Sequence, residues 1–224
     1  MVKSDFQRDY TLASISREKG AATVRSMTET AQMAVPGVAE HPCLALVNSV
    51  SEPAKGKRRD ELATPEAVRA WLLARELIAP DDVLREYCRG RIVELRAHLR
   101  GLFVAHTGGA APPLDAVQAV NRALTSAPGA QLLRFDRTGG FTRSADHPVT
   151  QVVEHVMAVI AEDAAALLAG DDASMLASCE AEGCQRFFLR THARRLWCSV
   201  RCGDRVRAAR AYARKREERG APGD

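Results

Sequence analysis

The 224-residue sequence has no long apolar run. No stretch approaches the roughly 18 consecutive apolar residues of a membrane-spanning helix. The N-terminal segment places Asp5, Arg8 and Asp9 close together and has no apolar core of the signal-peptide type. We therefore expect a cytoplasmic protein with no membrane partner, in a compartment where cysteine thiols stay reduced.

Motifs of the common enzyme classes are also missing. The sequence contains no Gly-x-Ser-x-Gly, no glycine-rich phosphate loop, and no Pro-Cys-x-x-Cys preceded by His-x-Glu. Internal repeats are absent as well. These absences favour a protein that is not an enzyme.

Length and composition fit a globular protein with one domain of ordinary size and a smaller one. The chain is 46% hydrophobic, which excludes disorder throughout. Its net charge of +4 is unevenly placed: residues 179–224 carry a balance of +6 and residues 1–178 a balance of −2. A basic patch on a small module favours phosphate-bearing partners.

Four of the six cysteines form two closely spaced pairs. The pattern is Cys-x-x-x-x-Cys, thirteen residues, then Cys-x-x-x-Cys, and its members are Cys179, Cys184, Cys198 and Cys202. Two such pairs complete a closed tetrahedral shell around Zn²⁺. His192 could compete for one position, whereas Cys43 and Cys88 stand in apolar surroundings typical of buried thiols. A closed shell also lacks the open position that a catalytic zinc needs.

The residues around these cysteines predict a treble-clef-like zinc finger. Phe187–Leu189 suits a short strand, and Leu196-Trp197 suits a strand returning to Cys198. A helix is expected from Asp204 to Arg219, where alanine and arginine are abundant. We expect Asp204 to cap this helix through its carboxylate.

The terminal helix carries most of the predicted nucleic-acid contacts. Arg207, Arg210 and Arg214 share one face, and a neighbouring face with Val206, Ala209 and Ala213 is expected to pack on the finger. Further basic side chains widen the surface. These are Arg201, Arg205, Lys215 and Arg216. Guanidinium groups bind phosphate and guanine edges, so the helix could lie in the major groove of DNA.

Two stretches resemble a known bacterial family. Trp197-Cys198-Ser199 and Cys202-Gly203-Asp204-Arg205, followed by a basic helix, resemble the CGNR zinc finger, with Asp204 in place of the motif's Asn. His41–Ser49, Asp60–Glu66 and Trp71-Leu72 resemble the opening of the ABATE domain that precedes such fingers. The resemblance covers roughly residues 41–216. It implies a transcription regulator that binds DNA, without specifying the DNA site.

The predicted organisation has three parts. Residues 1–40 read as a flexible extension, 41–170 as an ABATE-like, mainly α (α+β) domain with a small β-hairpin, and 171–219 as the zinc finger with its basic helix. The run from Cys43 to Val50 is too short for its period to separate strand from helix.

Within the helical part, Thr64-Pro65-Glu66 predicts a helix start, because a capping hydroxyl precedes proline and an acid. Asp81 and Asp82 are expected to open the longest helix. Its apolar residues form one stripe: Leu84, Cys88, Ile92, Leu95, Leu99 and Leu102. A hairpin is expected over Gln131–Phe135 and Phe141–Arg143, and a last core helix from His147-Pro148 to Gly170.

The functional prediction is a zinc-dependent nucleic-acid-binding protein, most consistent with a DNA-binding transcription regulator. The alternative is a protein-interaction module that uses the zinc finger as a docking surface. A small-molecule effector of the N-terminal domain and a homodimer both remain open.

Overall fold

A computed structural model of the chain describes residues 35–51, 58–127, 131–145 and 151–220. The predicted extension lies outside the described residues up to residue 34. Residues 35–40 form a turn, and Val35 packs on the zinc finger. The predicted division into three parts remains a prediction.

Helices make up most of the described chain, which confirms the mainly α class. In chain order they are α1 (Pro42–Asn48), α2 (Pro65–Leu73), α3 (Glu86–Gly108), α4 (Leu114–Ser126), α5 (Val152–Ala169) and α6 (Val200–Gly220). Three two-stranded antiparallel sheets accompany them: β1 (Val50–Ser51) with β2 (Arg59–Asp60), β3 (Gln131–Asp136) with β4 (Gly140–Ala145), and β5 (Leu176–Ser178) with β6 (Phe187–Leu189). No helix in these described ranges is long and apolar enough to cross a membrane.

The undecided run from Cys43 to Val50 is helix α1 as far as Asn48, and the last residue of the run begins β1. A residue of α5 fixes the start of α1. The Asp163 carboxylate accepts from the Cys43 amide at 2.9 Å and bonds His41 Nδ1 at 2.8 Å. Cys43 is fully buried, and that burial raises the pKa of its thiol far above the ordinary value. The cysteine, histidine and aspartate therefore serve to hold two helices together, because a buried neutral thiol is a poor nucleophile.

Helix α2 begins as predicted and α3 begins later than predicted. The Thr64 hydroxyl accepts from the Ala67 amide, with Pro65 in the first turn, which confirms the predicted cap. The expectation that Asp81 and Asp82 open α3 is wrong. Asp82 instead accepts from the Ala79 amide at 2.8 Å and closes a turn, so the helix starts at Glu86.

The predicted hairpin is present as β3 and β4. Its turn is closed by the Asp136 carboxylate, which accepts from the amides of Thr138 at 2.8 Å and Gly139 at 3.0 Å, and by Gly140 at φ 72°. The last core helix, α5, ends before Gly170 as predicted, while the His147-Pro148 lead-in lies outside the described residues.

One core joins α1, α2, α3, α4 and α5, and the finger enters it. The side chains of Leu176 and Phe187 are buried in that core, where the Phe187 ring meets Phe103 edge-on at 5.6 Å. The Asn48 amide donates to the Phe187 carbonyl at 2.8 Å and accepts from the Phe187 amide at 2.9 Å. The finger is therefore bound to the helical part by both apolar packing and a two-bond fork.

One strand of the finger pairs differently from the prediction. Phe187–Leu189 is a strand, but its partner is Leu176–Ser178, in the register Leu176 with Leu189. Leu196 and Trp197 form no strand. The Leu196 carbonyl instead accepts a single bond from the Glu180 amide at 3.0 Å, because the segment runs past the first cysteine pair without lying alongside β6.

Candidate metal centre and nucleic-acid interface

The structure brings the sulfurs of the two cysteine pairs together. The ligand atoms of Cys179, Cys184, Cys198 and Cys202 all lie within 4.8 Å of one another. The three sulfurs of Cys184, Cys198 and Cys202 stand 3.7 to 3.8 Å apart. None of the four is in a disulfide.

These distances fit zinc. A Zn–S bond of about 2.3 Å in a regular tetrahedron separates neighbouring sulfurs by about 3.8 Å. The three separations match that edge, and the Cys179 sulfur lies within 4.8 Å of the other three, so the four sulfurs can surround one ion. Four soft thiolates without an oxygen ligand also suit Zn²⁺ in preference to calcium or magnesium.

A tight turn positions the first pair. The Cys179 amide donates to the Arg186 carbonyl and the Cys184 amide to the Ala181 carbonyl, both at 2.9 Å. Gly183 adopts φ 69°, a left-handed conformation that a side chain would disfavour. Together these bonds close the turn between β5 and β6 that carries both cysteines of the first pair.

The start of α6 positions the second pair. The Ser199 hydroxyl accepts from the Cys202 amide at 3.3 Å, which is the geometry of a helix cap. Before it, Arg195 donates to the carbonyls of Trp197 at 3.1 Å and Cys198 at 3.3 Å. Sequence reasoning missed both contributions, because arginines crowd this region and no local pattern marks Arg195.

The predicted cap at Asp204 is wrong, because Ser199 occupies the capping position. The helix starts four residues earlier, at Val200, so Asp204 lies inside it. Its carboxylate accepts from Arg207 Nη2 at 2.6 Å, an exposed pair spaced i, i+3. The family's Asn position thus carries a charge that neutralises one predicted phosphate-binding arginine.

Three of the four thiols, those of Cys179, Cys184 and Cys198, are linked through shared hydrogen bonds. Hydrogen bonds from Cys184 and Cys198 lower the pKa of Cys179, and those same bonds raise the pKa of Cys184 to about 11 and raise the pKa of Cys198 further. Thiolates this close repel one another, so protons or a cation must hold the cluster together. A bound dication would take over that role, and the thiols would lose their protons on binding it.

The remaining candidate ligands lie elsewhere. His192 is exposed in the loop after β6 and is not part of the four-sulfur cluster. Cys43 is buried in the helical core, and Cys88 packs half-buried against it.

The basic residues predicted to bind nucleic acid are all on or beside α6 and all exposed. Arg201 and Arg205 line a cleft next to Cys184 and Cys202. Farther along the helix lie Arg207, Arg210, Arg214, Lys215 and Arg216.

The predicted packing face on this helix is confirmed for Val206 and wrong for Ala209 and Ala213. Val206 is half-buried against the finger, but Ala209 and Ala213 are exposed. A 21-residue helix spans about 30 Å, and only its first two turns reach the small finger. The helix therefore projects from the finger.

A separate apolar cavity of about 370 Å³ lies between α3, α4 and α5. Leu102, Val120 and Leu168 line it, and His106 and Asn121 supply polar groups. Its size suits a small molecule. The effector itself remains a prediction.

Comparison with known families agrees with this architecture. The family model of ABATE, described as "Putative stress-induced transcription regulator", matches residues 40–171. The family model of the CGNR zinc finger matches residues 175–215. No curated protein matches the chain.

Proposed function

Because the chain belongs to the ABATE family and carries a CGNR zinc finger, we propose that it is a zinc-dependent, DNA-binding transcription regulator. The observation that carries the proposal is the position of the four-cysteine cluster at the start of an exposed basic helix. Both matched families are of regulator and zinc-finger type, and neither is an enzyme family.

Zinc is held, in this proposal, by Cys179, Cys184, Cys198 and Cys202. The ion would fix the start of α6 to the β5–β6 turn, because Cys198 and Cys202 flank the beginning of the helix and the turn supplies the other two ligands. The small cluster around the cysteines contains few apolar side chains, among them Phe188 and Trp197. Such a cluster cannot fold on apolar burial alone, so the metal supplies the missing stability.

Helix α6 is the DNA-binding element. Every described side chain from Asp204 to Arg219 except the half-buried Val206 is exposed. An isolated polar helix gains little stability in water, so a partner that neutralises its arginines would stabilise it. Arg210 and Arg214 contact phosphates directly, whereas Arg207 must first break its ion pair with Asp204.

The salt dependence of DNA affinity tests this. A complex that neutralises about five phosphates should give a slope of roughly −4.5 in a plot of log affinity against log salt. Fluorescence anisotropy with zinc-loaded protein and duplex DNA measures it. Substituting Arg207, Arg210 and Arg214 together by alanine should weaken binding and flatten the slope by two to three units, about one for each lost contact. Unchanged affinity and slope would reject the helix as the interface.

Replacing one cysteine tests the metal assignment. Cys198→Ser should lose zinc and DNA binding together, because Cys198 is buried within the sulfur cluster. Cys88→Ser is the matched control, since Cys88 lies apart from the cluster, and it should keep both. Metal content by mass spectrometry of the native protein decides: full zinc occupancy in Cys198→Ser would overturn the ligand set.

A second candidate function is protein docking. The β3–β4 hairpin exposes Leu133, Phe135 and Phe141, and the centroids of the two phenylalanine rings lie 4.9 Å apart with the ring planes tilted by 52°. Exposed aromatic clusters are typical of protein interfaces, and a second copy of the chain is the simplest partner. Sedimentation of the wild type and of Phe135→Ser separates the alternatives: a dimer that the variant abolishes supports docking, and a monomer in both rejects it.

A further inference from the structure

A second basic feature lies beside the metal centre. A cleft of about 460 Å³ opens between the β1–β2 hairpin and the finger. Four arginines line it: Arg59, Arg186, Arg201 and Arg205. None of the described residues lining the cleft is acidic.

These arginines come from three separate elements. Arg59 stands on β2 opposite Ser51, and Arg186 immediately precedes β6. Arg201 lies in the first turn of α6. Arg205 is one turn farther on and donates to the Glu182 carbonyl at 3.0 Å, which fixes its guanidinium beside the first cysteine pair. The helical part and the finger thus contribute to a single site.

No acidic side chain among the described residues pairs with three of the four arginines in the cleft. The three are Arg59, Arg186 and Arg201. Other arginines differ: Arg96 bonds Asp60 and Arg89 bonds Glu86. One-sign clusters in a cleft raise the local concentration of counter-ions.

The zinc centre accounts for only part of this charge. An ion of charge +2 with four thiolates carries a formal charge of −2, and four guanidinium groups exceed it by two. The start of α6 adds partial positive charge from its free amides. This remaining positive charge favours a phosphate group, whose oxygens accept the paired N–H donors of guanidinium.

We propose that this cleft binds a phosphate group, and that in the complex with DNA a backbone phosphate occupies it. The second half of the proposal depends on the DNA-binding function; the first half does not. Arg59 and Arg186 lie outside helix α6, so they are the residues that this proposal adds to the DNA interface.

The first experiment compares DNA binding by zinc-loaded, full-length variants. Arg59→Gln and Arg186→Gln should each weaken binding, and the double variant should flatten the salt slope by about 0.9, the value for one lost phosphate contact on duplex DNA. Arg122→Gln on α4 removes the same charge from an exposed side chain outside the cleft. It should leave both affinity and slope near wild-type values.

The second experiment uses inorganic phosphate alone. Thermal unfolding of wild type and Arg59→Gln is followed in potassium phosphate and in potassium chloride of equal ionic strength. Phosphate should raise the melting temperature of the wild type and leave that of Arg59→Gln unchanged. If this is seen while the DNA salt slopes of the variants match the wild-type slope, the phosphate group that the cleft binds belongs to a free ligand and not to DNA.

The two experiments separate the possible failures. If the wild type binds DNA but the cleft variants match it in slope and phosphate gives no stabilisation, the cleft proposal is wrong and the DNA function stands. If the wild type does not bind DNA, that function fails, and phosphate stabilisation alone decides the cleft.

Discussion

The most buried charge in the described chain belongs to Arg96, whose side chain is 4% exposed. Its guanidinium donates to both oxygens of Asp60, at 2.6 and 2.7 Å, and to the Ser49 hydroxyl at 3.0 Å. These bonds connect α3 to the β1–β2 hairpin. A buried charge depends on its partner, because removal of the partner leaves the desolvation cost without compensation.

We therefore expect Asp60→Asn to destabilise the protein by about 3 kcal/mol, the lower end for a broken buried pair, since Asp60 is partly exposed. Asp81→Asn, which removes an exposed carboxylate, should change stability little. Urea unfolding at neutral pH measures both. Equal stability of the two variants would contradict the importance of the pair.

The same pair sets a pH dependence. The hydrogen bonds from Arg96 hold the pKa of Asp60 below its ordinary value. A lowered folded-state pKa means that the stabilisation is complete above the unfolded-state pKa, near 3.9, and is lost as the pH falls through the folded-state value. The stability difference between wild type and Asp60→Asn should consequently shrink below about pH 4.

The start of helix α6 requires a residue without a side chain at position 203. A Cβ on Gly203 would lie 3.0 Å from Trp197 Cε3 and 3.1 Å from Arg207 Nη1. The glycine of the Cys202-Gly203-Asp204-Arg205 motif is therefore needed for close packing of the helix on the Trp197 ring. Gly90 in α3 differs, because a Cβ there would meet nothing within 4 Å.

Alanine at these two helical glycines should have opposite effects. Gly90→Ala should stabilise the protein by about 1 kcal/mol through helix propensity. Gly203→Ala should destabilise it, because crowding at a packed site costs about 1–3 kcal/mol and outweighs that gain. Thermal unfolding of the zinc-loaded variants tests this, and equal stabilisation by both would show that the Trp197 ring moves aside freely.

Local signals explain which elements the sequence could predict. Thr64 caps α2 through a bond to an amide three residues away, and Asp136 closes the β3–β4 turn within three residues. Ligand spacing similarly identified the four cysteines whose sulfurs come together.

Distant partners explain several of the features that the sequence did not predict. The start of α1 is fixed by Asp163, 120 residues from Cys43, and β6 pairs with the strand before the first cysteine pair. Arg59 and Arg186 meet Arg201 only because the finger packs on the helical part. No periodicity or spacing in the sequence predicts such contacts between distant residues.

At the scale of the whole molecule, Asn48 couples the finger to the helical core. Its side chain makes both bonds to the backbone of Phe187, which is itself buried. Without the amide, the Phe187 N–H and C=O would lose their partners in a region closed to water.

Asn48→Ala should destabilise the protein by about 2–4 kcal/mol, because each buried unpaired group costs about 1–3 kcal/mol. Amide exchange should accelerate at β6 more than at α4. Asn121→Ala, at an exposed position on α4, is the control and should leave exchange at β6 unchanged. Exchange at β6 equal to wild type in Asn48→Ala would show that apolar packing alone holds the finger.

The fork between Asn48 and Phe187 joins positions 139 residues apart, and the ribosome makes the chain in one direction. At about 5–20 residues per second, Asn48 is synthesised roughly 7–30 s before its partner. During that delay the Asn48 side chain at the end of α1 lacks its bonds to the Phe187 backbone. The burial of α1 is complete only after Phe187 has been made, and by then Cys179 and Cys184 have been made as well. The N-terminal helices therefore complete their packing only after the metal-binding segment has been synthesised. We expect nascent chains that stop before residue 187 to be substrates for chaperones and proteases.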